Sequence, residues 1–164
     1  MHMEKSDEMR TKAVKYLKIA DHILTQTYPL VNDPKLLLVV LEDIFLAISS
    51  SMSSILWLER ENKELPSFDD SFDSKFNSFK LRVVPKYGIE KPYIMFLQDM
   101  KDLVSIHKKS PVEFSAKGSY VMANDDYDLS KLTLNGMKSY MEKAKFFIKG
   151  MDSLFARIKE RVEK

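Results

Sequence analysis

Residues 134–162 read LNGMKSYMEKAKFFIKGMDSLFARIKERV, and this stretch decides the fold class. Leu134, Met137, Met141, Ala144, Ile148, Met151, Phe155, Ile158 and Val162 recur at alternating steps of three and four. Those steps place them on one stripe of an α-helix, whereas a strand, whose side chains change face at every residue, would scatter them over both faces. Tyr140, Phe147 and Leu154 flank the stripe, and Lys145 falls on the opposite face. An apolar face this broad exceeds what a two-stranded coiled coil buries and has to be covered by several neighbours, which predicts a bundle.

Immediately upstream the helical period stops. Between Ser110 and Ser130, Val112-Glu113-Phe114 and Tyr120-Val121-Met122 straddle Lys117-Gly118, a pattern that admits a small hairpin around a glycine turn. Asn124-Asp125-Asp126-Tyr127-Asp128 then reads as a polar loop of capping residues leading into the last helix. Its acids lack the central glycine and distal glutamate of a calcium loop. Before the break, Tyr93, Phe96, Met100, Leu103 and His107, broadened by Leu97 and Val104, give a helix opened by Pro92 and closed before Pro111. Phe72, Phe76, Phe79 and Val83 mark a short helix after Leu65-Pro66-Ser67, with Pro85 expected to end it and a loop to follow as far as Pro92.

The N-terminal part carries two long helices. The first is expected to start at Ser6 or Asp7, either of which can accept a bond from free first-turn amides, and to bury Met9, Ala13, Tyr16, Ala20 and Ile23. Tyr28-Pro29 should end it. Asp33-Pro34 restarts the chain into a helix running to about Lys63. From Leu36 to Leu58 that helix is apolar on nearly all sides and long enough to span a bilayer, yet Glu42, Asp43 and five serines interrupt it. It is therefore expected to be the buried central helix of a water-soluble bundle. Asp43, Ala47, Ser50 and Ser54 form a stripe of small residues against which another helix, of this chain or of a second copy, could approach closely.

The expected architecture is all-α, a single domain over residues 1–164, built as an up-and-down four-helix bundle with a short additional helix and room for one hairpin. With 164 residues the chain buries enough surface to need no covalent staple. The absence of cysteine excludes disulfides and thiolate metal sites and, with no secretory pattern at the start, points to the reducing cytoplasm. Met1-His2 reads as a cloning remnant before a natural start at Met3, so His2 is given no functional weight. A net charge of +2 is too small for a whole-molecule field that would gather nucleic acid or acidic lipid.

Few chemistries remain. No glycine-flanked serine elbow, P-loop or glycine-rich dinucleotide turn is present. A di-iron bundle needs an acid three positions before a histidine, but Ile19 and Val104 stand there before His22 and His107. No metal or cofactor is expected. Asp21-His22 and Glu42-Asp43 read as ion-pairing residues of the first two helices. His107 is the candidate functional residue, at the end of an apolar face beside Lys108 and Lys109 and just ahead of Ser110-Pro111. It can complete the core edge and interact with the last helical carbonyls, or act as acid or base with the lysines holding phosphate.

This layout, with long helices running up and down and a His-Lys-Lys run before the final one, resembles the HEPN domains of prokaryotes. Those are four-helix bundles, commonly dimeric. Many are metal-independent ribonucleases or partners of minimal nucleotidyltransferases in toxin–antitoxin pairs. Their catalytic mark is an arginine, often followed by a polar residue, then a few variable residues and a histidine. Lys101-Asp102-Leu103-Val104-Ser105-Ile106-His107 matches its order and spacing, with lysine in place of arginine and Asp102 as the polar neighbour. The resemblance implies a homodimer that holds RNA, a nucleotide or a nucleotidyltransferase without turnover, with Asp102, Lys108 and Lys109 as binding residues. An alternative is a weak ribonuclease in which His107 activates a ribose 2′-hydroxyl and Lys101 or Lys108 steadies the phosphate. A purely structural helical protein is the third reading.

Overall fold

A computed structural model describes residues 3–163, so His2 lies outside the described residues. The first helix comprises α1 (Lys5–His22), a π-helical turn (Ile23–Thr27) and α2 (Tyr28–Val31). Next come α3 (Lys35–Glu61), then α4 (Phe72–Ser78) continued through a second π turn (Phe79–Val83) into α5 (Val84–Tyr87). After α6 (Lys91–Lys109), strands β1 (Val112–Ala116), β2 (Ser119–Ala123) and β3 (Leu129–Thr133) lead into α7 (Leu134–Glu163). The chain is thus mostly helical, with one small antiparallel sheet in the order β1-β2-β3.

Neither Pro29 nor Pro85 ends its helix, contrary to the sequence expectation. In both cases the five residues upstream form a π turn, closed by Tyr28 N–H to Ile23 O and by Val84 N–H to Phe79 O. The widened turn shifts the carbonyl ladder that a proline ring would otherwise strike and absorbs the missing donor. Each helix runs two residues past its proline and stops at a left-handed residue, Asn32 (φ 54°) or Gly88 (φ 65°). The first helix begins one residue before the expected cap, at Lys5, with no side-chain cap of its own. Its acceptor comes from another helix, because Glu61 at the end of α3 receives the Ser6 N–H (3.0 Å) and hydroxyl (2.6 Å). The Asp33-Pro34 restart is as expected, with the Asp33 carboxylate accepting the Lys35 N–H at 3.0 Å.

The Ser6–Glu61 anchor sets α1 antiparallel to α3. Stepping seven residues along each helix brings Ala13 level with Ser54 and Ala20 level with Ala47, all buried. Two residues of the small-residue stripe, Ala47 and Ser54, are in this way occupied inside the chain, while Asp43 and Ser50 are half-buried. Arg10–Asp152 (3.2 Å), Lys145–Asp21 (3.4 Å) and Lys159–Asp7 (3.7 Å) tie α7 antiparallel to α1. Asp21 therefore finds its ion-pair partner on α7. Ring contacts of Tyr93 with Phe147 (5.7 Å) and Phe96 with Tyr140 (6.4 Å) set α6 antiparallel to α7. Along α3, Phe45 meets Phe72 (4.9 Å) and Glu59 meets Lys86 (2.7 Å), so α4–α5 runs parallel to it.

By length and composition α3 could cross a membrane, and here it is the central element, in contact with α1, α4, α6 and α7. Leu37, Leu41, Ile44, Ile48, Met52 and Ile55 along it are completely buried. The α7 seam is buried from Met137 to Ile158, but Val162 is exposed beyond its last partner.

The sheet sits where α6 ends and α7 begins. Lys117-Gly118 turns β1 into β2 with positive φ at both residues, as the sequence pattern admits. The Asn124–Asp128 segment is a second hairpin turn and not a helix start. The Asn124 side-chain oxygen accepts the N–H groups of Asp126 (2.9 Å) and Asp128 (2.8 Å), and the chain returns as β3. This third strand was not foreseen. Tyr120, Met122 and Leu132 close the sheet's inner face over the helices.

Candidate functional site

The last turn of α6 carries His107, Lys108 and Lys109, held in place by the stop before Pro111. The hairpin folds back on it. Both carboxylate oxygens of Glu113 in β1 lie on His107 Nδ1, at 2.8 and 3.0 Å, and the Tyr120 hydroxyl of β2 donates to Glu113 Oε1 at 3.0 Å. Since an ionised carboxylate only accepts, this arrangement keeps the Nδ1 proton and leaves Nε2 as the other imidazole position. The imidazole is about one quarter exposed (26%) and Glu113 less so (17%). Burial, and then the Glu113 carboxylate that its hydroxyl donates to, pushes the Tyr120 phenol above its ordinary range.

Lys101 is not part of this group. Six residues earlier on the helix, it lies roughly 9 Å down the axis and about 120° around from His107. Its ammonium pairs with Asp73 of α4 and lies over the Phe72 ring at 5.4 Å. Asp102 is exposed and accepts from Gln98 Nε2 at 2.8 Å, within the same helix. Lys108 and Lys109 are exposed, and Lys109 borders a cleft of about 220 Å³ with Ser105, Ile106, Asn124 and Asp125. The structure thus keeps His107, Lys108 and Lys109 at one tip and separates Lys101 and Asp102 from it. His22 is exposed on α1.

Glu113 and Tyr120 are the site residues that sequence reading missed as partners of His107. Once Lys117-Gly118 is taken as a two-residue turn, Ser115 pairs with Tyr120 and Glu113 with Met122. Glu113 and Tyr120 are then diagonal neighbours on one face, so the register held the signal.

A second polar group joins α3 to α5. Glu59, only 2% exposed, accepts from Lys86 Nζ at 2.7 Å and from the Tyr87 hydroxyl, while Glu64 reaches Lys86 at 3.4 Å. Burial pulls the Lys86 ammonium down, but the bond and charge of Glu59 outweigh it and raise it overall. Burial and then Glu59 also raise the Tyr87 phenol. With every polar partner engaged, this group is a clasp between two helices. Among the described residues no cluster of histidine and carboxylates is arranged to hold a metal ion. No protein family, no curated protein and no solved structure matches the chain.

Proposed function

We propose that the chain is a HEPN-like helical module that binds a partner and does not turn over a substrate. In this reading the first helix, α3, α6 and α7 form an up-and-down four-helix bundle, with α4–α5 as the additional helix. The observation that carries the non-catalytic reading is the separation of Lys101 from His107. The cation that would hold a scissile phosphate beside the histidine is taken by Asp73. The histidine itself is bound through Nδ1 to the Glu113–Tyr120 pair, which fastens the hairpin to α6. Lys108 and Lys109 remain at the tip as point charges for a phosphate of RNA or a nucleotide. The resemblance adds a homodimer and a nucleotidyltransferase as protein partner, and the absence of cysteine supports a cytoplasmic setting.

A weak metal-independent ribonuclease is the second reading, favoured by one observation. A carboxylate on Nδ1 is also how a histidine is oriented as a base, with Nε2 directed to a ribose 2′-hydroxyl. The test is a cleavage assay on single-stranded RNA with the wild type, His107→Ala, Glu113→Gln and Lys101→Arg, together with RNA binding by the Lys108→Ala/Lys109→Ala double variant. The expected outcome is no cleavage by any protein and weaker binding by the double variant. Wild-type cleavage that is lost in His107→Ala and reduced in Glu113→Gln would establish the ribonuclease instead.

A further inference from the structure

Away from the His107 tip, α6 and α7 leave an open groove of about 450 Å³ between them. That volume lies within the range of small-molecule sites, which are mainly apolar with a few placed polar groups. Phe96 and Phe147 form its buried floor, while Tyr93 and Phe146 form a wall of stacked rings with centroids 5.5 Å apart. Phe146 (62% exposed) and Met95 (51%) stand open to solvent along it. Gly150 permits this wall, because a Cβ there would come within 2.4 Å of the Tyr93 hydroxyl oxygen. The aromatic side chains are thus built into a lined recess, which distinguishes them from isolated apolar residues on a surface.

The charges on the rim identify the ligand class. Asp99 lines the groove and has no ion-pair partner among the described residues. Glu142 lines it too and pairs only with Lys145, at 3.5 Å and largely in water. Lys143 is the one lining cation, and its ammonium is drawn over the Tyr140 ring at 5.9 Å. Aromatic faces carry negative potential and attract cations, so rings and carboxylates here favour the same sign. We infer that the α6–α7 groove is a binding site for an organic cation with an aromatic or branched apolar body, the body on Tyr93, Phe96 and Phe146 and the cationic head toward Asp99 and Glu142. This holds independently of whether His107 is catalytic.

Three probes with one body separate charge from apolar contact: 1-naphthylmethylammonium, 1-naphthylmethanol and 1-naphthoate. Each is titrated into the full chain while the Met95 methyl and the amides of residues 93–99 and 142–147 are followed by NMR. The ammonium probe should give saturable shifts confined to these signals and bind about tenfold more tightly than the alcohol, with the carboxylate weakest. The Asp99→Asn/Glu142→Gln variant should lose the preference for ammonium over alcohol while its melting temperature stays unchanged. Equal affinity for ammonium and alcohol, strongest binding by the carboxylate, a preference that persists in the double variant, or no saturable shift at Met95 would each overturn the proposal.

Discussion

Asp43 shows how far a single residue can depart from what its sequence neighbours imply. In the sequence it interrupts an apolar run and argues against a bilayer; in the fold it is half-buried on α3 next to Glu42. Burial first, and then the Glu42 charge, raises its carboxyl above the ordinary 3.8. A folded-state value above the unfolded one means that the stability Asp43 contributes is complete below about 3.8 and is lost as pH rises through the raised value. Asp43→Asn should therefore melt above the wild type at neutral pH, with the gap closing as pH falls toward 4. Thermal melts across that range check this, and a gap that widens on acidification would contradict it. His107 makes the complementary point: its neighbours in sequence are lysines, but its partner is Glu113, supplied by a strand.

At the scale of elements, the two π turns explain why prolines misled the reading of helix ends. Tyr28-Pro29 and Val84-Pro85 look like terminators, and a regular α-helix would break at either. A π turn costs little when its own residues are anchored in the core, and Leu24, Phe79 and Val83 within the two turns are all buried. The actual stops are left-handed caps. At Gly88 an added Cβ would meet nothing within 4 Å, so a substitution there tests the backbone alone. Gly88→Ala should destabilise by roughly 1 kcal/mol, and Gly88→Asn by less, because asparagine tolerates the left-handed region. Chemical denaturation of the two variants measures the difference, and equal losses would place the cost elsewhere. The missed β3 has a similar origin: Leu129 to Thr133 is short, polar on one face and adjacent to a long helix, so its strand character depends on the edge of β2 that it pairs with.

For the whole molecule, the α7 seam and the α3 core form one contiguous cluster. Ile148 is 5% exposed within it, so Ile148→Asp would bury an unpaired carboxylate and should cost about 4 kcal/mol, most of the stability of a domain at the lower end of the ordinary range. The matched change on the outer face, Lys145→Asp, looks neutral from the sequence. In the fold Lys145 lies near both Asp21 and Glu142, so it should cost about 0.5 kcal/mol through lost pairing and new repulsion. Comparable melting temperatures for the two variants would show that the seam is not the core. Periodicity, capping and turn residues act over neighbouring positions, so the helical class, the two longest helices and the α6 stop before Pro111 were legible in the sequence, which also admitted the first hairpin. Packing in three dimensions was needed to establish that the helices continue through Pro29 and Pro85, that Glu61 caps α1, that Lys101 is held by Asp73, and that Glu113 and Tyr120 hold His107. Each of these depends on groups far apart in the chain, or on packing that offsets a local penalty, and no local pattern records which distant partner will arrive.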